Sequence, residues 1–246
     1  FKSFSILNSA HQEISVLKEA IIQTLRYFAL FKYPLNVDEI HRFCSVKSSH
    51  SLVKSTLDTM LKDGEIHLSE QHFFSLEANQ AWSDERALGN QRAEDVLTKV
   101  YRYVRVIKQF PFVEGVAISG SLSKNYAEKN ADIDYFIITK KNRLWIARTL
   151  LHMYKKLTFI RSHQHFYCMN YFVDDCALEI QHQNIYTAIE LVTLIPVYNV
   201  SLIQELKQKN VWLNQFLPNQ NVSQDERFVL SSPKSWLSRS VEGLFN

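Results

Sequence analysis

The sequence predicts an α+β protein with an α/β-type core, a mixed sheet flanked by helices, preceded by a smaller helix-rich domain. Three observations lead there. Apolar residues recur at helical spacing in the stretches 13–31 and 84–109 and again beyond Asn184. Two uninterrupted apolar runs of strand length, 116–118 and 135–138, stand close together in mid-chain. With only five glycines and five prolines there is little material for a flexible linker or a disordered arm. At 246 residues, 46% hydrophobic and 22% charged, the chain can bury one large core or two modest ones. We place a boundary near residue 80, giving domains 1–80 and 81–246, with helix 84–109 as a bridge and further helices at the C-terminal end.

In the first domain, Ile14, Leu17, Ile21, Ile22, Leu25 and Phe28 form one helical stripe that Tyr33-Pro34 interrupts. Asn36 is placed to cap a short helix carrying Glu39, Ile40 and Phe43, and Ser49 to open a third through Val53, Leu57 and Met60. Asp63-Gly64 ends it, and the runs 65–68 and 72–76 around a polar Ser69-Glu70-Gln71 turn read as a hairpin. Three helices and a hairpin in this order resemble a winged helix-turn-helix domain. Its third helix offers His50, Lys54 and Lys62 as basic groups and also carries Asp58, which is thin for neutralising phosphates. DNA binding is therefore not favoured over packing against a neighbour or a protein partner.

A net charge of +3 and a pI near 8.6 exclude the charge density of a dedicated nucleic-acid binder. Cys44, Cys168 and Cys176 lack paired spacing and read as buried free thiols of a reducing compartment. No apolar run of transmembrane length and no secretory signal is present, so the expectation is a cytoplasmic protein without a membrane partner. A chain that opens on Phe1 and closes on Leu244-Phe245-Asn246 is also compatible with a piece of a longer protein.

The chemistry concentrates between residues 113 and 139. The strand 116–118 runs into Ser119-Gly120-Ser121, where a glycine lets the backbone turn tightly and approach a ligand. A short helix is expected next, so that backbone N–H groups and the Ser121 hydroxyl can meet an anion, with Lys124 adding positive charge. Asp132-Ile133-Asp134 then opens a second strand; side chains alternate, so both carboxylates share one face and Ile133 takes the other. Two carboxylates so placed suit Mg²⁺, which takes hard oxygen ligands and is commonly held by one or two carboxylates plus substrate phosphates. Read from residues alone, the less favoured alternative for the aspartates is a solvated strand start.

A strand into Gly120-Ser121, the spacing to Asp132-Ile133-Asp134 and the apolar strand 135–138 together resemble the signature of the DNA polymerase beta-like nucleotidyltransferase superfamily. The resemblance implies a nucleotidyltransferase-like mixed sheet and an NTP substrate cradled by Gly120, Ser121 and Lys124. It also implies Mg²⁺ or Mn²⁺ on Asp132 and Asp134, and a third carboxylate on a later strand. Beyond a helix 143–157 and a strand 166–173, the alternation Leu178-Glu179-Ile180 reads as another strand, making Glu179 the candidate third acid, as metal ligand and general base. The family more often has Asp there. Asp174 and Asp175 read as turn residues, Lys129 as a solvated surface lysine, Trp212 as core, and His163, His165 and His182 as ordinary histidines rather than a zinc set. The implied reaction moves a nucleoside monophosphate from an NTP to a small molecule, a protein or an RNA end. The alternative is a catalytically silent domain of the same type that binds a nucleotide or a partner.

Overall fold

The structure, a computed structural model, describes residues 2–129, 131–158, 167–220, 230, 240, 242 and 243, with side chains from residue 12 onward. It is a mixed α+β protein that divides into two compact units. One comprises residues 1–88 with 212–221; the other comprises 89–211 with 222–246.

In the first unit α1 (Lys2–Ala29), α2 (Val37–Phe43) and α3 (His50–Lys62) pack on one another, and β1 (His67–Leu68) pairs antiparallel with β2 (Phe74–Ser75). Local chemistry fixes these ends. The Asn36 side chain accepts from the Glu39 N–H while Glu39 reaches back to the Asn36 N–H, a capping box, and Ser49 caps α3 through the Leu52 N–H. Leu17, Ile21, Leu25, Ile40, Val53, Leu57 and Met60 are buried, the core that the helical spacing requires. A short return segment containing α8 (Leu213–Phe216) belongs to this unit as well. There Asn219 accepts from the Ser48 N–H at 2.9 Å and donates to the Val46 carbonyl at 2.7 Å.

The second unit is built on a four-stranded sheet of order β5-β4-β3-β6. Strand β3 (Val113–Ile118) is antiparallel to both β4 (Asp134–Thr139) and β6 (Ile195–Tyr198), whereas β4 is parallel to β5 (Cys168–Asp174). The parallel pair needs a crossover, supplied by α5 (Leu144–Thr158). Central strands buried on both faces need helices on both. Val116, Ile118, Tyr135 and Ile137 enter a core with Leu97, Val100 and Val104 of α4 (Gln80–Ile107) and Leu151 of α5. On the opposite face, Leu202 of α7 (Val200–Lys209) and Ile138 both approach Gly115, and α6 (Ile185–Thr193) leads into β6.

Two expectations are corrected here. The chain beyond Asn184 is not helical throughout: Ile195–Tyr198, with Pro196, form β6, and because β6 is an edge strand the missing proline N–H costs no central ladder bond. The residues around Glu179 are not a strand. Leu178 and Ile180 are buried because Asn210 holds them, donating to the Leu178 carbonyl and accepting from the Ile180 N–H, each at 2.8 Å. One side-chain amide thus takes the place of a strand partner. The thiols also differ from expectation: all three cysteines are free, but Cys44 is buried, Cys168 half-buried and Cys176 exposed. Among the described residues no helix is long and apolar enough to cross a membrane. His163 and His165 lie outside the described residues.

Candidate functional site

At the end of β3 the chain turns through Ser119, Gly120 and Ser121 into a single 3-10 turn, Leu122–Lys124, instead of an α-helix. Gly120 has φ +66°, the left-handed region that side chains resist, and the Asp134 carboxylate lies against its Cα. A Cβ at this position would collide with Asp134 Oδ2. The contact follows from the register: the Ser119 N–H donates to the Asp134 carbonyl at 2.9 Å, so the exit of β3 and the entry of β4 are joined. Gly120 and Asp134 are therefore brought together.

Asp132 is an exposed residue just before β4, Ile133 is buried, and Asp134 is half-buried at the strand's first position. Burial pushes the Asp134 carboxyl above the ordinary aspartate range, and the negative charges of Asp132 and Glu190 push the same way. A hydrogen bond from the Cys168 thiol and the charge of Lys124 oppose them. The charges of Asp132, Glu190 and Lys124 and the Cys168 thiol thus all act on Asp134.

Glu190 of α6 was not anticipated. Its Oε1 accepts from Lys124 Nζ at 2.6 Å and its Oε2 from the Gly120 N–H at 3.2 Å, so this carboxylate clamps the turn. Lys124 Nζ also donates to the Gly120 carbonyl at 3.0 Å. Ser123 Oγ donates to the same carbonyl at 2.8 Å and toward Thr193 Oγ1 at 3.1 Å, a second tie to α6. The Gly120 N–H is consequently given to a carboxylate rather than left open to an anion. Ser121 is exposed, its hydroxyl makes no cap, and its carbonyl accepts the N–H groups of Lys124 and Tyr126.

Glu179 sits in an exposed bend, and its charge is not among those acting on Asp134. Among the described residues, the three potential ligands whose donor atoms lie within 4.8 Å of one another are Asp174, Asp175 and Cys176. Asp174 is occupied as a turn residue, accepting from the Asn142 N–H at 2.6 Å and from the Cys176 thiol at 3.2 Å.

Compared with protein-family models, curated proteins and solved structures, the chain matches none of them.

Proposed function

We infer that the chain is a metal-dependent nucleotidyltransferase that moves a nucleoside monophosphate from an NTP to an acceptor hydroxyl or phosphate. The observation that carries this reading is the apposition of Asp134 to Gly120, which sets a carboxylate directly on the glycine-serine turn. Further support comes from the order of strand, Gly120-Ser121 turn, Asp132-Ile133-Asp134 and apolar strand within a mixed sheet flanked by helices, which resembles the DNA polymerase beta-like nucleotidyltransferase superfamily. The three helices and hairpin of the first unit suit a winged-helix-like module making a regulatory or protein contact.

The donor set fits Mg²⁺ or Mn²⁺. Asp132 and Asp134 are hard oxygen donors whose mutual charge already disfavours ionising Asp134, and two carboxylates plus substrate phosphates are an ordinary protein share of such a site. Bound there, the ion supplies charge neutralisation at the phosphates. The chain's own residues would position the reactants: Asp132 and Asp134 would hold the ion that meets the triphosphate, the turn carrying Gly120 and Ser121 lets the triphosphate approach, and Lys124 adds positive charge beside it. The acceptor oxygen bonds to the α-phosphorus, the bond to pyrophosphate breaks, and an acceptor hydroxyl's proton passes to a neighbouring carboxylate. Glu190 acts on Asp134 by charge, but its two oxygens are engaged by Lys124 and the Gly120 N–H, so its part here is to hold the turn.

The test is incubation with each α-labelled NTP, Mg²⁺ or Mn²⁺ and a cell extract, asking which molecule class acquires label. The expected result is metal-dependent labelling that disappears in the folded Asp132→Ala/Asp134→Ala variant. The second reading, a silent domain that binds a nucleotide or a partner, draws on one observation: Glu190 is engaged by Lys124 and by the Gly120 N–H, which leaves this carboxylate committed to the turn. Metal-dependent nucleotide binding without label transfer would favour it.

A further inference from the structure

Beside this site a cavity of about 230 Å³ opens on the same face of β4, because Asp134 and Phe136 stand two positions apart on one strand. Ser119 and Glu190 line it, so it is continuous with the clamped turn. Ser119 is 6% exposed, and among the described residues its Oγ is the one buried side-chain polar atom in the cavity wall that finds no hydrogen-bond partner. Burying a hydroxyl unpaired forfeits the hydrogen bond it makes in water, which a ligand atom in the cavity would restore.

We propose that this cavity binds a single neutral or cationic ring that donates hydrogen bonds, presented either by the nucleobase of the nucleotide or by the acceptor. The proposal rests on the nucleotidyltransferase reading for its role, and on the cavity alone for its chemistry. Size limits the occupant. Pockets for whole drug-sized ligands run to about 300–1,000 Å³, so this one suits one ring system. Shape favours a ring as well: Phe136 and Tyr171 stack with centroids 5.2 Å apart and planes 15° from parallel, giving an aromatic wall.

Charge sets the sign. Among the described residues no lysine or arginine lines the cavity; the side chains of ionic consequence are His182 and Glu190, whose other oxygen faces Lys124 outside the lining. Glu190 itself lines the cavity, and its charge, ahead of burial and Asp134, pushes up the Tyr186 phenol in the same wall. An anionic ring entering here meets like charge, whereas an amine, amide or hydroxyl donor meets Glu190, Tyr186 and the Ser119 oxygen.

The experiment titrates the full chain with benzamide, benzylamine and benzoate, one ring in three charge states, and separately with adenosine, guanosine, cytidine and uridine. Binding is read by ligand-observed NMR. The amide or amine is expected to bind saturably and at least about tenfold more tightly than benzoate. Ser119→Ala should weaken binding roughly three- to tenfold, and Thr187→Trp, which narrows the mouth from α6, should abolish it with an unchanged far-ultraviolet spectrum. Saturable binding of a nucleoside above the amine assigns the ring to the nucleobase, and the reverse order assigns it to the acceptor. Benzoate binding as tightly as benzamide, no saturable binding of any probe, or full binding by Thr187→Trp would each overturn the proposal. Because these probes carry no phosphate, their outcome stands apart from the labelling test. Loss of label transfer with intact ring binding would count against the enzyme alone.

Discussion

The Asp134 carboxylate occupies the space beside Gly120 that a β-carbon there would need. Two costs should therefore meet in Gly120→Ala: a left-handed backbone at φ +66° and a displaced carboxylate. Gly64 separates them, since it has φ +72° with nothing within 4 Å. We expect Gly64→Ala to cost roughly 1–2 kcal/mol, the penalty for a side chain in this region. Gly120→Ala should cost more, and adding Asp134→Ala should recover the excess. Urea denaturation of the single and double variants checks this; equal costs for the two alanines would show that Asp134 yields freely.

Asp134 also makes a pH prediction. Its folded pKa is raised, so the native state holds its proton over a range in which the unfolded chain has lost it. Stability must then fall as pH rises through that window, and the deficit persists at neutral pH. Asp134→Asn removes it. The variant should melt at a higher temperature than the parent at pH 7 without divalent cation, and the gap should close toward pH 3, below the ordinary aspartate value of about 3.9. Melting curves from pH 3 to pH 8 decide the matter, and a variant less stable at pH 7 would reverse the sign. Under the proposed function, Mg²⁺ at a hundred times its Kd should stabilise the parent by about 2.7 kcal/mol and leave the variant unmoved.

What the sequence disclosed and what it hid have physical reasons. Long helices were legible because a 3.6-residue apolar stripe has no other use, and the caps at Asn36 and Ser49 because their side chains act within three residues. The Gly120-Asp134 meeting was legible as a pattern. Glu190 was not, since a lone acid among Ala188, Ile189, Leu191 and Val192 reads as the solvated side of a helix. Strand β6 is four residues long and contains a proline, so its partner β3 decides it. The alternation at Leu178 and Ile180 misled because Asn210, some thirty residues away in sequence, supplies the bonds a strand neighbour would.

In the first unit Arg86 is 2% exposed, donates to Glu39 Oε1 at 2.6 Å and lies 3.5 Å over the Tyr33 ring. Removing one member of a buried pair strands the other, at a cost of about 3–5 kcal/mol. Arg86→Leu should therefore destabilise strongly, with Glu39 additionally losing a partner while it caps α2. Replacing both, Glu39→Gln with Arg86→Met, should cost less than the sum of the singles. A double-mutant cycle in urea measures the coupling, and strict additivity would mean that the two groups do not depend on each other.

The Lys124-Glu190 pair offers the most direct view of the site's electrostatics, because its two members act on Asp134 with opposite sign. With side chains 13% and 25% exposed, the pair lies between the ~0–1 kcal/mol of surface ion pairs and the ~3–5 kcal/mol lost on breaking fully buried ones. Both Glu190→Gln and Lys124→Met should thus destabilise modestly. Their effects on Asp134 must diverge. Glu190→Gln removes a negative charge and frees Lys124 to turn toward Asp134, so the Asp134 titration should move down. Lys124→Met removes the opposing positive charge, so it should move up. Carboxyl carbon NMR titrations of Asp134 in the two variants read the shifts directly. No movement in either variant would mean that burial alone sets this carboxyl, and that the charges around the glycine-serine turn are not coupled to it.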